Sequence, residues 1–223
     1  METHTEQMFA RQPTQSPSAR SGHDRADGDS ACGPLSWYLL VYRTPSGSSR
    51  ARVAIWRDLK RAGALYLQHA VCVLPIRPEV RDILTDICGR IDSLDGSYHL
   101  FELSDIGAEQ EDRLVDGFRN LAGREYAEII EECATKFVKE IEFERFRENY
   151  TAEEAEEIRQ DLEKIHRWFA RVTERDWFGG NGRTEAMRQI AHCERLLEEF
   201  EEDVYLRTAH VETTTADSES AER

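Results

Sequence analysis

The spacing of apolar positions changes character twice along the chain. Through the first 34 residues, Ser, Gly, Pro, Asp and Gln dominate and no apolar period develops. Such a stretch cannot bury enough surface to offset the entropy of ordering, so a disordered leader is expected over 1–35. A continuous apolar and aromatic run, Trp37 to Tyr42, then predicts a buried strand. Thr44 to Ser48 reads as a loop, Ser49 as the N-cap of a helix and Gly63 as the glycine that ends it. Between them, Val53, Ile55, Trp56 and Leu59 fall on one side of a helical wheel. Two further runs, Ala64 to Leu67 and Ala70 to Leu74, flank a polar break at Gln68 and His69 and predict a strand pair. Pro78 opens a second helix carrying Val80, Ile83, Leu84 and Ile87, Asp95 and Gly96 form a turn, and Tyr98 to Leu103 is a last strand. The order β-α-β-β-α-β is that of a split βαβ, or ferredoxin-like, unit spanning 36–107. It implies an antiparallel sheet from 37–42, 64–67, 70–74 and 98–103 with two helices on one face.

From Glu109 the period becomes purely helical. Leu114, Phe118 and Leu121 begin a stripe that Tyr126, Ile130, Cys133, Phe137 and Ile141 continue, with a break expected near Gly123. Thr151 and Glu154 have the spacing of a capping box, opening a helix with Ile158, Leu162, Ile165, Phe169 and Val172. After Asp176 to Gly182, a third stripe follows through Ile190, Cys193, Leu197, Phe200 and Val204. Narrow stripes between acidic faces predict mostly antiparallel helices packing on each other or on a partner. The fold class expected is therefore α+β: a ferredoxin-like βαββαβ unit, a three-helix extension over 108–207 packed on it, and a disordered tail over 208–223.

Composition narrows the classes. With 39% hydrophobic and 33% charged residues, the 223-residue chain can bury a core. It has no apolar stretch of the roughly 20 residues a membrane span needs and no secretory h-region, so a cytoplasmic location away from membranes is expected. The five cysteines are widely spaced without a C-x-x-C pair, which argues against a disulfide framework or a zinc ribbon. The net charge of −15 is unevenly distributed: residues 36–78 hold seven Lys/Arg against one acid, Asp58. Anion chemistry belongs in that positive island.

Within it, Arg50, Arg57 and Arg61 fall on one narrow stripe of the first helix, as on a solvated face. Arg52 lies instead between Trp56 and Leu59 on the side read as apolar. There its guanidinium must snorkel outward or meet an anion or a carboxylate, and a structural salt bridge competes with a ligand role. Arg43, Ser48, Ser49 and Arg52 together outline a pocket for a tetrahedral anion at the helix N-terminus. With Lys60, these basic positions form the candidate set for anion or DNA binding. Catalytic patterns are absent: there is no G-x-S-x-G, P-loop, H-E-x-x-H or dinucleotide fingerprint, and the seven histidines are scattered. No enzyme activity, metal or cofactor is expected.

Four stretches resemble a known family: Trp37 to Leu40, the run R-x-R-V-x-x-W-R-x-L-K-x-x-G-A from Arg50 to Ala64, Leu67 to Pro75 with its V-x-x-L-P, and the helical pieces Glu125–Tyr126 and Asp176 to Gly179. Together they are similar to the N-terminal region of ChrB-type chromate-resistance proteins, over about Trp37 to Leu206. The first half also resembles the ferredoxin-like part of phenylacetic-acid repressors. The resemblance implies a chromate-responsive regulator of an efflux transporter, with operator DNA and chromate or another tetrahedral oxyanion as partners. Family members continue into a C-terminal domain where this sequence has an acidic Thr- and Ser-rich stretch. The competing reading is an interaction module whose acidic helices dock a protein partner or a second copy.

Overall fold

A computed structural model describes residues 35–44 and 49–221, with side chains through Ala209. The expected leader, apart from Leu35, and Ser48 lie outside the described residues. Strand β1 (Ser36–Arg43) leads into helix α1 (Ser49–Arg61), then come β2 (Leu65–Gln68), β3 (Val71–Pro75), helix α2 (Pro78–Ser93) and β4 (Ser97–Ser104). The sheet runs β2-β3-β1-β4 with every neighbouring pair antiparallel. This is the ferredoxin-like order: each helix crosses over between strands that are separated by a third.

Alternation along β1 decides what each face covers. Tyr38 and Leu40 point to one side, where Ile55 and Leu59 of α1 and Val80, Leu84, Ile87 and Ile91 of α2 close a core with Cys72 and Leu74. Trp37 and Leu39 point to the other. Helix α3 (Ala108–Glu131) covers that side with Leu114, Val115 and Phe118, joined by Phe178 from much further along the chain.

Helix α1 ends as its glycine requires. Gly63 has φ 76°, and the Gly63 and Ala64 amides donate to the Lys60 and Leu59 carbonyls at 3.0 and 2.9 Å, a Schellman closure. A Cβ at Gly63 would also lie 2.8 Å from Cβ of Arg175, so the end of α1 is a docking point for the helical extension.

The break expected near Gly123 does not occur. Helix α3 passes through it, because the glycine admits the Asn181 backbone, whose carbonyl oxygen would lie 3.3 Å from a Cβ there. The irregularity comes later, as a π-helical stretch over Glu132–Phe137 leading straight into α4 (Val138–Phe146). Its cause lies in the buried positions Ile129, Cys133, Phe137 and Ile141, which are spaced by four. Twelve residues at about 100° each would carry Ile141 about 120° away from Ile129 on a straight α-helix. A π-turn takes up roughly one extra residue and returns the stripe to the core. The buried residue of the pair is Ile129, with Ile130 only partly buried.

Buried Glu144 holds the turn after α4, accepting from Asn149 Nδ2 at 2.6 Å and from Arg147 at 3.3 Å. Thr151 then caps α5 (Ala152–Glu174), its Oγ1 accepting from the Glu154 amide at 3.2 Å. The Glu154 carboxylate turns to Asn149 Nδ2 at 3.1 Å. Thr151→Ala should therefore lower stability by about 1 kcal/mol. A thermal unfolding curve indistinguishable from wild type would show the cap to be idle.

Helix α6 (Arg183–Ala221) buries Ile190, Cys193, Leu197, Phe200 and Val204 against the stripes of α3 to α5. It runs on through 208–221, the stretch read from sequence as a tail. No glycine or proline lies between Arg183 and Ala221 to interrupt the ladder.

Candidate functional site

The apolar side of α1 is narrower than the wheel predicts. Ala51, Ile55 and Leu59, four residues apart, are the buried face, while Val53 and Trp56 are each 47% exposed. The sheet and α2 cover a single ridge. Trp56 and Val53 stand beside that ridge and wall a cleft against the ends of β1 and β2. Arg52 shares this side, exposed in the cleft wall rather than desolvated among core residues, so the penalty expected for it does not arise.

The cleft has a volume of about 750 Å³. Tyr42, Arg52, Trp56, Lys60, Tyr66 and His69 give it its character, and no carboxylate is among its lining residues. Tyr42 and Tyr66 hydroxyls lie 3.1 Å apart, and Lys60 Nζ sits 5.8 Å from the Tyr66 ring centre. Burial raises the pKa of both phenols, and for Tyr66 the hydrogen bond with Tyr42 raises it further. Both therefore stay protonated at neutral pH; one hydroxyl donates to the other, which leaves the pair a single O–H for a ligand. An Arg, a Lys and two phenols facing a space without acids form an anion-accepting wall.

Of the candidates read from sequence, Arg52 and Lys60 belong to this cleft. Arg50, Arg57 and Arg61 lie outside it as an exposed stripe, and Arg61 is tied to Asp58 at 3.1 Å. Asp58 also accepts from Arg90, so this part of the island is partly neutralised. Ser49 is the first, exposed residue of α1. Arg43 ends β1 on the same alternating side as Trp37, opposite α1, so it does not join Arg52 in one pocket. Sequence reasoning missed Tyr42, Tyr66 and His69. Their only signal was polar-capable aromatics at strand ends and the polar break after Leu67, and neither says which helix they will face.

A second cleft of about 540 Å³ lies between the π-turn and α5, lined by Lys136, Glu140, Asp161, Lys164, Trp168 and Arg171. Its charges are mixed and partly satisfied within it, Lys164 meeting Asp161 at 2.5 Å. It offers an anion less than the first. The buried thiols Cys72 and Cys88 are held protonated at neutral pH: burial pushes Cys72 up to about 12 and Cys88 to about 11. Among the described residues, no three His, Cys, Asp or Glu gather to hold a metal, and no helix is long and apolar enough to cross a membrane.

Over residues 52–211 the sequence matches the family described as Protein ChrB, N-terminal. Protein ChrB of Cupriavidus metallidurans is 31% identical over 102 residues, which is 45% of this chain and 30% of that protein. The aligned part thus spans under a third of the relative's length. No solved structure matches the chain.

Proposed function

The chain belongs to the ChrB N-terminal family, and from that premise we propose that it serves chromate resistance as a regulatory protein, holding a tetrahedral oxyanion in the cleft beside α1 and meeting operator DNA with the exposed arginine stripe of the same helix. The observation that carries this reading is the acid-free cleft containing Arg52 and Lys60 in a chain of net charge −15. A dianion is repelled by most of such a surface, so a local concentration of donors with no carboxylate is where it can dwell. A guanidinium supplies paired N–H donors to two oxygens, and the ammonium and a phenol can supply the others.

The competing reading, a module docking partners through acidic helices, has less support. The apolar stripes of α3 to α6 are buried against one another. Cross-helix ion pairs such as Arg159 with Glu201 at 2.5 Å occupy part of the charge outside them.

Chromate and sulfate should each raise the melting temperature of the full chain. Arg52→Ala should weaken the apparent affinity for both about tenfold, the scale of one charge-assisted hydrogen bond. Arg57→Ala should leave the anion response intact, weaken binding to DNA upstream of the gene and reduce its salt slope by about one. No anion-induced shift in the wild type, or a shift that survives Arg52→Ala, would remove the cleft from the proposal.

A further inference from the structure

The two edges of the sheet are built differently. Edge strand β2 has four residues and a register irregularity between Tyr66 and Gln68, features that blunt an edge against pairing. Edge strand β4 has eight residues and pairs with β1 without a shift from Ser36↔Ser104 to Arg43↔Ser97. It holds no Lys, Arg or Pro, and six of its eight residues are exposed. Leu100 and Phe101 are 38% and 49% exposed, and the His99 and Phe101 rings stack at 6.2 Å on one face. Its one carboxylate, Glu102, lies 3.9 Å from Arg81. A long, regular edge with exposed Leu and Phe, no cation of its own and one carboxylate that already faces an arginine is a template for another strand.

We propose that the occupant is a second copy of this chain, β4 pairing antiparallel with β4 about a two-fold axis at Leu100 to give a continuous eight-stranded sheet. Strand chemistry selects this partner. With no cation on the strand, a phosphate backbone has nothing to bind there. In the two-fold register His99 meets Phe101 twice, Tyr98 meets Glu102 twice and Leu100 meets itself. No like charges oppose one another, and same-face alternation is kept. The ring stack of one copy then continues into the other. Strands about 27 Å long, with their flanking side chains, bury on the order of 1,000 Å², the lower end of specific interfaces. This self-pairing is independent of what the cleft beside α1 binds.

Sedimentation velocity of the full chain should show a concentration-dependent two-chain species at micromolar protein. Leu100→Lys sets two ammonium groups opposite each other on the axis and should weaken association at least tenfold, with the melting temperature nearly unchanged. Leu67→Lys, on the other edge and 53% exposed in the wild type, should associate as the wild type does. If Leu100→Lys itself lowers the melting temperature, Phe101→Lys at a half-exposed position carries the same test. The proposal falls if the wild type sediments as one chain at all concentrations, which would leave the edge to a different partner. It also falls if both β4 variants associate like the wild type, or if Leu67→Lys dissociates the dimer equally.

Discussion

Trp37→Ala is expected to destabilise the protein by about 3–5 kcal/mol, the range for emptying a buried indole site. Trp37 is fully buried on β1, opposite Leu103 of β4 and Pro75 of β3. Its ring stacks on Phe118 of α3 at 5.8 Å and 16°, and meets Phe178 of the α5–α6 loop at 5.6 Å. Phe118 and Phe178 also touch each other, at 5.4 Å, so the three rings form one joint between the sheet and the helical extension. The indole N–H has no hydrogen-bond partner among the described residues, so truncation costs packing and no polar contact. For a body of this size the loss corresponds to a melting temperature about 10–15 °C lower. Trp37→Phe should recover more than half of it. A loss below about 1 kcal/mol for the alanine variant would mean that the joint relaxes shut and that the extension is held by other contacts.

Gly180→Ala should cost about 3 kcal/mol, and its neighbour Gly179→Ala only about 1 kcal/mol, for unrelated reasons. A Cβ on Gly180 would lie 2.6 Å from Cβ of Ala122, 2.9 Å from the Gly123 nitrogen and 3.1 Å from the Arg119 carbonyl oxygen. Two of those three atoms are backbone of α3 and cannot swing away. The Gly180 amide also donates to Asp176 Oδ1 at 2.8 Å, and Asp176 accepts from the hydroxyl of fully buried Tyr126 at 3.0 Å. Pushing the loop outward would therefore strain a partly buried hydrogen-bonded pair as well. At Gly179 a Cβ meets nothing within 4 Å, and the cost is only that of its positive φ, +73°. Chemical denaturation of the two variants side by side measures the difference. Equal losses would show that backbone conformation, and not contact with α3, sets the need for glycine in this loop.

The same loop gives physical content to residues that carry the family resemblance. Asp176 holds the turn, Trp177 lies beside Arg77 with 5.6 Å from guanidinium carbon to ring centre, and Phe178 completes the aromatic joint. Glu125 pairs with Arg175 across to the end of α5. Trp177 and Phe178 connect the helical extension to the α/β unit, while Asp176 and the Glu125–Arg175 pair hold the extension's own parts together. Within the Arg50 to Ala64 stretch, Ala51, Leu59, Gly63 and Ala64 are packing and capping positions, whereas Arg52, Trp56 and Lys60 face the cleft. The motif thus mixes two purposes that a linear pattern does not separate.

The element order was legible in the sequence because each signal is local. A six-residue apolar run, a proline at a first helical turn, a glycine after Ala62 and a threonine three residues before a glutamate act through bonds made within a few residues. The stripes Ile158 to Val172 and Ile190 to Val204 were legible for the same reason, since one helix period sets which residues share a face. The α1 face was not. Two apolar stripes adjoin on that helix, and only the width of the ridge that the sheet and α2 cover decides that Ile55 is buried while Trp56 stays half exposed. The displaced irregularity in α3 has a similar origin: Gly123 looked like a break because nothing local reveals that the Asn181 backbone packs against it. The cleft was decided entirely by tertiary structure. It needs the end of β1 and the end of β2 on opposite sides of β3, with α1 crossing above them. Strand alternation then sends Tyr42 into the cleft and Arg43 to the other face. Positive charge between residues 36 and 78 was visible in the composition, but which of its cations share one space depends on contacts between residues far apart in the chain.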